Sequence, residues 1–142
     1  MKRLMVWEPA LAANDKHTLI SSVAESLAQQ GVVSFGEQDA LVEALVARED
    51  LGNTLIATNT AIPHATCPAV TEGAFVYVKL AEPLLDWSEG AAVDRFVFTV
   101  VPEQPSADDG EAVKRFFTSL ADDAVLNVLS TGSQESVTQI FQ

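Results

Sequence analysis

The chain has 142 residues, 48% hydrophobic and 20% charged, which is enough to bury a sizeable core and leads us to expect one domain over residues 1–142. Twenty Asp and Glu residues against eight Lys and Arg residues give a net charge of −12, which argues against nucleic acid as a partner and against binding to an anionic membrane. The apolar runs are too short for membrane insertion and the single cysteine excludes an internal disulfide, so we expect a cytoplasmic protein.

The N-terminal part of the sequence predicts one strand followed by two helices. Leu4–Trp7 is short and apolar enough for a strand, and Asn14 is a suitable N-cap for the first helix. The second helix is expected to open at Ser34 or Gly36, with Glu37 at capping-box distance from Ser34. Apolar residues recur at helical spacing in both segments: Leu19, Ile20, Val23, Leu27 and Ala28 in the first, and Leu41, Val42, Leu45 and Val46 in the second.

The middle of the sequence is rich in β-branched and aromatic residues, which favour strands. Leu55–Ala57 is a candidate short strand, while Phe75–Leu80 and Arg95–Val101 are the clearest strands of the chain. The last of these is almost continuously apolar, as expected of a central strand covered on both faces. Between the two clear strands, Pro83–Gly90 is predicted to be a connection that holds an exposed or half-buried Trp87.

The C-terminal part predicts a loop and three helices. The acidic stretch Glu103–Glu111 is expected to be a solvated loop before a third helix. A further short helix is expected over Asp122–Leu129, and Ser133 is the predicted cap of a last helix that ends near Phe141. The apolar face of the third helix is Val113, Phe116, Phe117 and Leu120. Helices before, between and after strands indicate an α/β sandwich of one mixed sheet with helices on both faces.

Two histidines are the main candidates for chemistry. His17 lies in the first turn of a predicted helix, where a surface or capping role explains it best. His64 follows Pro63, which fixes its own φ and keeps Ile62 extended, so a stiff backbone presents the imidazole at a strand end. Taken alone, a histidine after a proline remains a weak sign of function.

Other kinds of site find little support in the sequence. Cys67 and two distant histidines lack the paired spacing of a tetrahedral metal site, so no metal is expected. Neither of the common glycine-rich phosphate-binding patterns occurs, and no cofactor is expected. A thiol–imidazole pair of Cys67 and His64 is conceivable, but Pro68 and the loop context favour an incidental cysteine. One exposed histidine acting as a nucleophile remains.

A set of short motifs resembles a known family. Arg48-Glu49, Asn53-Thr54 and Ala61-Ile62-Pro63-His64-Ala65 are similar to the hallmark segment of fructose/mannitol-type IIA domains. These domains belong to the bacterial phosphoenolpyruvate-dependent sugar phosphotransferase system. The likeness extends over nearly the whole chain, because the predicted helices and strands follow the order of the family.

The resemblance implies a phosphocarrier that accepts a phosphoryl group on His64 from HPr and passes it to a IIB component, which would make the protein a phosphotransferase. Arg48 is the candidate for binding phosphoryl oxygens, because a guanidinium can bind two of them at once. Without the resemblance, Arg48 is equally well explained as a basic residue at a helix C-terminus. Thr54 and Thr60 are further hydroxyl donors to consider. Ile62, Ala65 and Val70, with acidic residues around them, form a candidate apolar docking patch.

One departure from the family pattern leaves the role open. Transport members commonly carry a second histidine on the helix after the long loop, and Val113 aligns with it. Lys114 or Arg115 either replaces its charge or simply faces solvent. Three interpretations follow: a transport component for an unidentified sugar or polyol, a regulatory module whose phosphorylation controls a protein contact, or a degenerate interaction domain that is never phosphorylated.

Overall fold

The computed structural model describes residues 1–9 and 15–142, which form one six-stranded sheet and five helices. The predicted N-cap Asn14 lies outside the described residues. The strands are β1 (Lys2–Trp7), β2 (Leu55–Ala57), β3 (Thr60–Ala61), β4 (His64–Thr66), β5 (Ala74–Leu84) and β6 (Val93–Val101). The helices are α1 (Lys16–Gln29), α2 (Gln38–Asp50), α3 (Ala107–Ser119), α4 (Asp123–Thr131) and α5 (Gln134–Ile140).

The sheet is mixed, as the sequence predicts. Its strand order is β1-β5-β6-β3-β2, and β4 also pairs with β6. β1 runs parallel to β5, and β3 and β4 run parallel to β6, whereas β5 and β6 are antiparallel. β6 is therefore the central strand on which the segment around His64 is aligned.

Helices cover both faces of this sheet, which confirms the predicted α/β sandwich. Along β6 the side chains alternate between the two faces. Phe96 and Phe98 pack with the apolar residues of α1 and α2 on one face, whereas Val97 packs with those of α3, α4 and α5 on the other. All three are fully buried, as expected of a strand covered on both sides.

The helix starts follow the usual capping chemistry, with one exception. Asp15, Ser106, Asp122 and Ser133 each accept a hydrogen bond from a backbone N–H in the first turn of α1, α3, α4 and α5, respectively. The predicted cap at Ser133 is thus confirmed. The capping box predicted for α2 is wrong, because Glu37 occupies the cap position without a side-chain hydrogen bond.

Two other sequence-based expectations are wrong. The acidic stretch is not a loop throughout, because α3 already begins at Ala107, directly after the capping residue Ser106. Trp87 is only 2% exposed, since its ring packs against Phe96 at a centroid distance of 4.7 Å and is covered by the Lys16 ammonium at 5.2 Å. The connection between β5 and β6 thus places its only aromatic side chain, Trp87, in the core beneath α1.

Asp109 joins three parts of the chain on the α3 side. One carboxylate oxygen lies 2.9 Å from the Met1 ammonium, and the other accepts a hydrogen bond of 2.8 Å from the Gly73 N–H. The hydrogen bond from the ammonium, aided by that from Gly73, lowers the pKa of Asp109, although partial burial acts in the opposite direction. The starts of β1, β5 and α3 are held together at this carboxylate.

None of the helices in the described part of the chain has the length and hydropathy needed to span a membrane.

Candidate functional site

His64 is the first residue of β4 and lies between the two helical layers. Pro63 precedes it, and the Pro63 carbonyl accepts a hydrogen bond of 2.9 Å from the N–H of Thr99 on β6. His64 is aligned with Thr99 in the parallel β4–β6 pair. This hydrogen bond and the strand pairing hold the backbone at His64. The side chain is only partly buried, so part of the imidazole remains accessible. The predicted location of His64 at the end of a strand is confirmed.

The hydrogen bonds of the two ring nitrogens define one tautomer of His64. Nδ1 lies 3.0 Å from the carbonyl oxygen of Ile62, which can only accept, so Nδ1 carries the proton. Nε2 lies 3.2 Å from Nε of Arg48, and a guanidinium can only donate, so Nε2 holds a lone pair. Both contacts thus require a neutral ring whose available nucleophilic atom is Nε2.

Arg48 reaches His64 from the last turn of α2. Its Nη1 donates a hydrogen bond of 2.9 Å to the carbonyl oxygen of Gly52, just beyond the helix end. This second contact holds the guanidinium over the end of α2, where a cation also interacts favourably with the helix dipole. The structure thus brings the two predicted site residues into direct contact, and it assigns Arg48 both the helix-end position and the contact with the imidazole.

A buried carboxylate supports the loop that follows Arg48. Glu49 is 5% exposed and accepts hydrogen bonds from both the hydroxyl and the N–H of Thr54. The carbonyl of Thr54 in turn accepts a hydrogen bond of 3.0 Å from the N–H of Ile62. These bonds connect the end of α2 to the backbone just before His64. Of the adjacent pair, Arg48 contacts the imidazole, and Glu49 stabilises the loop beside it.

Neither predicted hydroxyl donor is free for a phosphoryl group. The hydroxyl of Thr54 is taken by Glu49, and that of Thr60 donates to the side-chain oxygen of Asn59 over 3.1 Å. Thr60 is also fully buried. We therefore assign both threonines to the support of the local structure.

The ring on α3 that contacts His64 belongs to Phe117. The two ring centroids are 5.6 Å apart at an interplanar angle of 85°, an edge-to-face arrangement. Val113, aligned with the second histidine of transport members, lies one helical turn earlier and is partly buried in the same apolar layer. Lys114 and Arg115 are exposed to solvent. Phe117 lies on the predicted apolar face of this helix, but its contact with His64 is not evident from the sequence.

The predicted docking patch is wrong. Ile62, Ala65 and Val70 are 8%, 8% and 2% exposed, respectively. Ile62 packs on the α3–α5 side of the sheet, and the other two pack on the α1–α2 side, so the three residues do not share one surface. An exposed apolar residue near the site is instead Leu51, which lies three residues after Arg48 and is 86% exposed.

In residues 1–9 and 15–142, no three or more His, Cys, Asp or Glu side chains are clustered so that they could hold a metal ion. Cys67 is buried and unoxidised, and its N–H donates to the carbonyl of Val101. The chemistry available at the site is that of the imidazole and the guanidinium.

Comparison with known sequences gives a consistent match. Residues 7–142 match the model of the family described as "Phosphoenolpyruvate-dependent sugar phosphotransferase system, EIIA 2". The chain is 28% identical over 122 residues to a nitrogen regulatory protein of Bradyrhizobium diazoefficiens, covering 85% of this chain and 78% of that protein. It is 34% identical over 125 residues to the 2-O-alpha-mannosyl-D-glycerate-specific EIIABC component of Escherichia coli, covering 82% of this chain and 18% of that much longer protein.

Solved structures share the fold at lower identity. The nitrogen regulatory protein IIA-Ntr from Neisseria meningitidis has a TM-score of 0.71 and 22% identity, with 98% of this chain and 92% of that chain covered. The mannitol IIA enzyme of Escherichia coli, solved in complex with phosphorylated mannitol IIB, has a TM-score of 0.65 and 19% identity, with 98% and 92% covered. These similarities indicate a common architecture for the sheet and both helical layers.

Proposed function

The chain belongs to the EIIA 2 family of the phosphoenolpyruvate-dependent sugar phosphotransferase system, and we propose that residues 1–142 form one histidine phosphocarrier domain with phosphotransferase activity. In this proposal His64 accepts a phosphoryl group from HPr and passes it to a IIB component during uptake of a sugar or polyol. The observation that carries the proposal is the hydrogen bonding of the imidazole, which directs the lone pair of Nε2 toward the guanidinium of Arg48.

The proposed step is an in-line displacement at phosphorus. The lone pair of Nε2 forms the new bond to phosphorus as the bond between phosphorus and the donor atom of HPr breaks, and the electron pair of that bond returns to the donor. The proton on Nδ1 stays in place, donating to the carbonyl of Ile62 and stabilising the positive charge that the ring acquires. No other bond changes, so positioning and electrostatics account for most of the catalysis.

Arg48 is proposed to bind the transferred group. Its Nε–H, which donates to Nε2 in the unphosphorylated protein, moves to a phosphoryl oxygen once Nε2 bonds to phosphorus. A guanidinium offers several donors in one plane, so Arg48 can bind the phosphoryl group while Nη1 keeps its bond to Gly52. This arrangement neutralises charge where it develops.

The two histidines of the chain permit a matched test of the phosphorylation site. The protein is incubated with phosphoenolpyruvate, enzyme I and HPr, and intact mass is measured for the wild type, His64→Ala and His17→Ala. We expect a single acid-labile phosphoryl adduct on the wild type and on His17→Ala, because the proposed acceptor is His64, beside Arg48. His17, exposed on the first turn of α1, is the matched control. An adduct on His64→Ala would overturn the assignment. Absence of any adduct on a folded wild type would favour the degenerate interaction domain.

A regulatory role is the second candidate, and the relatives support it. The Bradyrhizobium and Neisseria proteins named above are nitrogen regulatory proteins, and each matches this chain over most of both lengths. In this alternative the same phosphorylation of His64 controls contact with a protein partner, and no sugar is transported.

Transfer to a IIB component distinguishes the two roles. The mannitol IIA enzyme named above was solved bound to its phosphorylated IIB partner, which supports a IIB component as the acceptor in the transport role. Phosphorylated protein is mixed with the IIB components of its own organism, and the phosphoryl group is followed. Transfer to one of them supports transport. Stable phospho-His64 in the presence of all of them supports regulation.

A further inference from the structure

An apolar cleft opens at the edge of the layer formed by α3, α4 and α5, and neither His64 nor Arg48 lines it. Its volume is about 270 Å³. Three aromatic rings of β5, α3 and the C-terminus line it, and their centroids lie 5.2 to 5.7 Å from one another: Phe75, Phe116 and Phe141. Val125 and Ile140 extend this apolar lining. A second cleft of about 230 Å³ shares Phe75 and Phe141 with the first.

Positive charge is concentrated at this cleft in a protein of net charge −12. Arg3 on β1 and Arg115 on α3 both line it, and both are exposed. Five of the other six basic residues bind a protein group: Lys2, Lys16, Arg48, Lys79 and Arg95. Within the described residues neither arginine of the cleft forms an ion pair: Arg115 has no hydrogen-bonded side-chain partner, and Arg3 donates only to the Met1 carbonyl. Two exposed cations without a carboxylate partner therefore lie at one apolar cleft.

The geometry points to a binding site for a small organic anion with an apolar body. The aromatic and aliphatic lining would bury the apolar part of such a ligand, and the two guanidinium groups would bind its carboxylate, sulfonate or phosphate group. A neutral apolar ligand would leave both cations unused, and a fully polar anion would leave the rings exposed. The combination selects an amphipathic anion.

The cleft is connected to His64 through two neighbouring rings of α3. Phe116 lines the cleft and lies 5.5 Å from Phe117, whose ring contacts His64 at 5.6 Å. A ligand that repositions Phe116 is therefore expected to alter the packing of the imidazole. This connection gives the cleft a regulatory role over the phosphocarrier. That role rests on the proposed function of His64, whereas binding of a ligand in the cleft does not.

Binding is tested with 1-anilinonaphthalene-8-sulfonate, a fluorescent amphipathic anion, and with the neutral analogue N-phenyl-1-naphthylamine. The anion is titrated into the wild type, Arg115→Gln, Arg3→Gln and the matched control Lys114→Gln, which removes the same charge next to Arg115 from a residue outside the cleft. We expect each arginine substitution to weaken binding of the anion about threefold, as for an exposed charge pair, and Lys114→Gln to leave it unchanged. The neutral analogue should bind all four proteins equally.

The site is refuted if the arginine variants bind the anion as Lys114→Gln does, or if the neutral analogue loses affinity to the same extent. NMR spectra of the same titration locate the ligand, with shifts expected at Phe116 and Phe141. They also test the connection to His64, whose ring resonances should shift with the anion in the wild type and less in Arg115→Gln. Unchanged His64 resonances at saturation would overturn the regulatory role. None of these measurements requires HPr, so failure here is distinguishable from failure of the phosphocarrier proposal.

Discussion

The Nε–H of Arg48 donates to Nε2 of His64 over 3.2 Å, so the proposed phosphoryl acceptor and the proposed phosphoryl-binding cation are already in contact in the unphosphorylated protein. The opposite nitrogen of the imidazole is fixed by the carbonyl of Ile62. These two hydrogen bonds set both the tautomer and the direction of the ring. The imidazole of His64, with its lone pair on Nε2, is thus oriented before a partner protein binds.

Loss of the Arg48 guanidinium should slow phosphorylation of His64 without unfolding the protein. We expect Arg48→Gln to lower the rate of transfer from HPr on the order of 100-fold, as for removal of one oxyanion donor, and Arg48→Lys to lower it less because charge remains. Rapid-quench kinetics measure the rate, and Lys114→Gln is the control for loss of an exposed cation on a helix. A wild-type rate in Arg48→Gln would exclude a role for Arg48 in transfer.

Removal of the Phe117 ring should loosen the imidazole while keeping the apolar layer filled. Phe117→Leu retains an apolar side chain, so we expect it to cost less than about 1.5 kcal/mol of stability. Because the edge-to-face contact with His64 is lost, the His64 ring resonances should shift and the transfer rate should fall. Leu120→Met, three residues later at the C-terminal cap of α3, is the control for repacking alone. Identical His64 resonances in Phe117→Leu and wild type would contradict the positioning role.

The hydroxyl of Thr54 should be important for stability, because it binds the buried carboxylate of Glu49. In Thr54→Val this carboxylate keeps only the weaker hydrogen bond from the backbone N–H, at 3.3 Å. We expect the free energy of unfolding to fall by about 1–3 kcal/mol, the cost of an under-satisfied buried polar group. Urea unfolding measures it, with Thr66→Val on the exposed side of β4 as the control. Equal loss in the two variants would argue against a special role for the pair.

Asp109 should contribute stability that disappears in acid. Its pKa is lowered from about 3.8 in the folded protein, so its contribution is complete above that value and is lost as the pH falls through the folded-state pKa. The difference in unfolding free energy between wild type and Asp109→Asn should therefore be constant from neutral pH down to about 3.8 and shrink below it. Asp108→Asn, exposed in the same helical turn, is the control. A difference that grows in acid would contradict the assignment.

Much of the architecture is predictable because hydrophobic periodicity is a local property. The nearly continuous apolar run around Val97 and the apolar faces of α1 and α3 are visible in the sequence, and the sandwich follows from their order. Trp87 was mispredicted because its burial depends on contacts with Phe96 on β6 and Lys16 on α1, which form only when the chain folds. No periodicity in the segment around Trp87 carries that information.

The site was predictable only in part for the same reason. Spacing and the resemblance to IIA domains identified His64 and Arg48, but the contact of Phe117 with His64 joins α3 to β4 and depends on tertiary packing. The prediction of an apolar patch around Ile62 and Ala65 failed because the two residues, on either side of Pro63, pack into opposite layers, which only the tertiary structure decides. The hydroxyl of Thr54 was considered as a donor to the phosphoryl group because the sequence does not reveal its buried partner Glu49.

The most direct test is to locate phosphorus on the imidazole by NMR. The protein, with 15N-labelled histidine, is phosphorylated through enzyme I and HPr, and couplings between phosphorus and the ring nitrogens are measured. The hydrogen bonds at His64 predict phosphorus on Nε2, with Nδ1 still protonated and donating to the carbonyl of Ile62. Phosphorus on Nδ1 of His64, or on His17, would contradict the account.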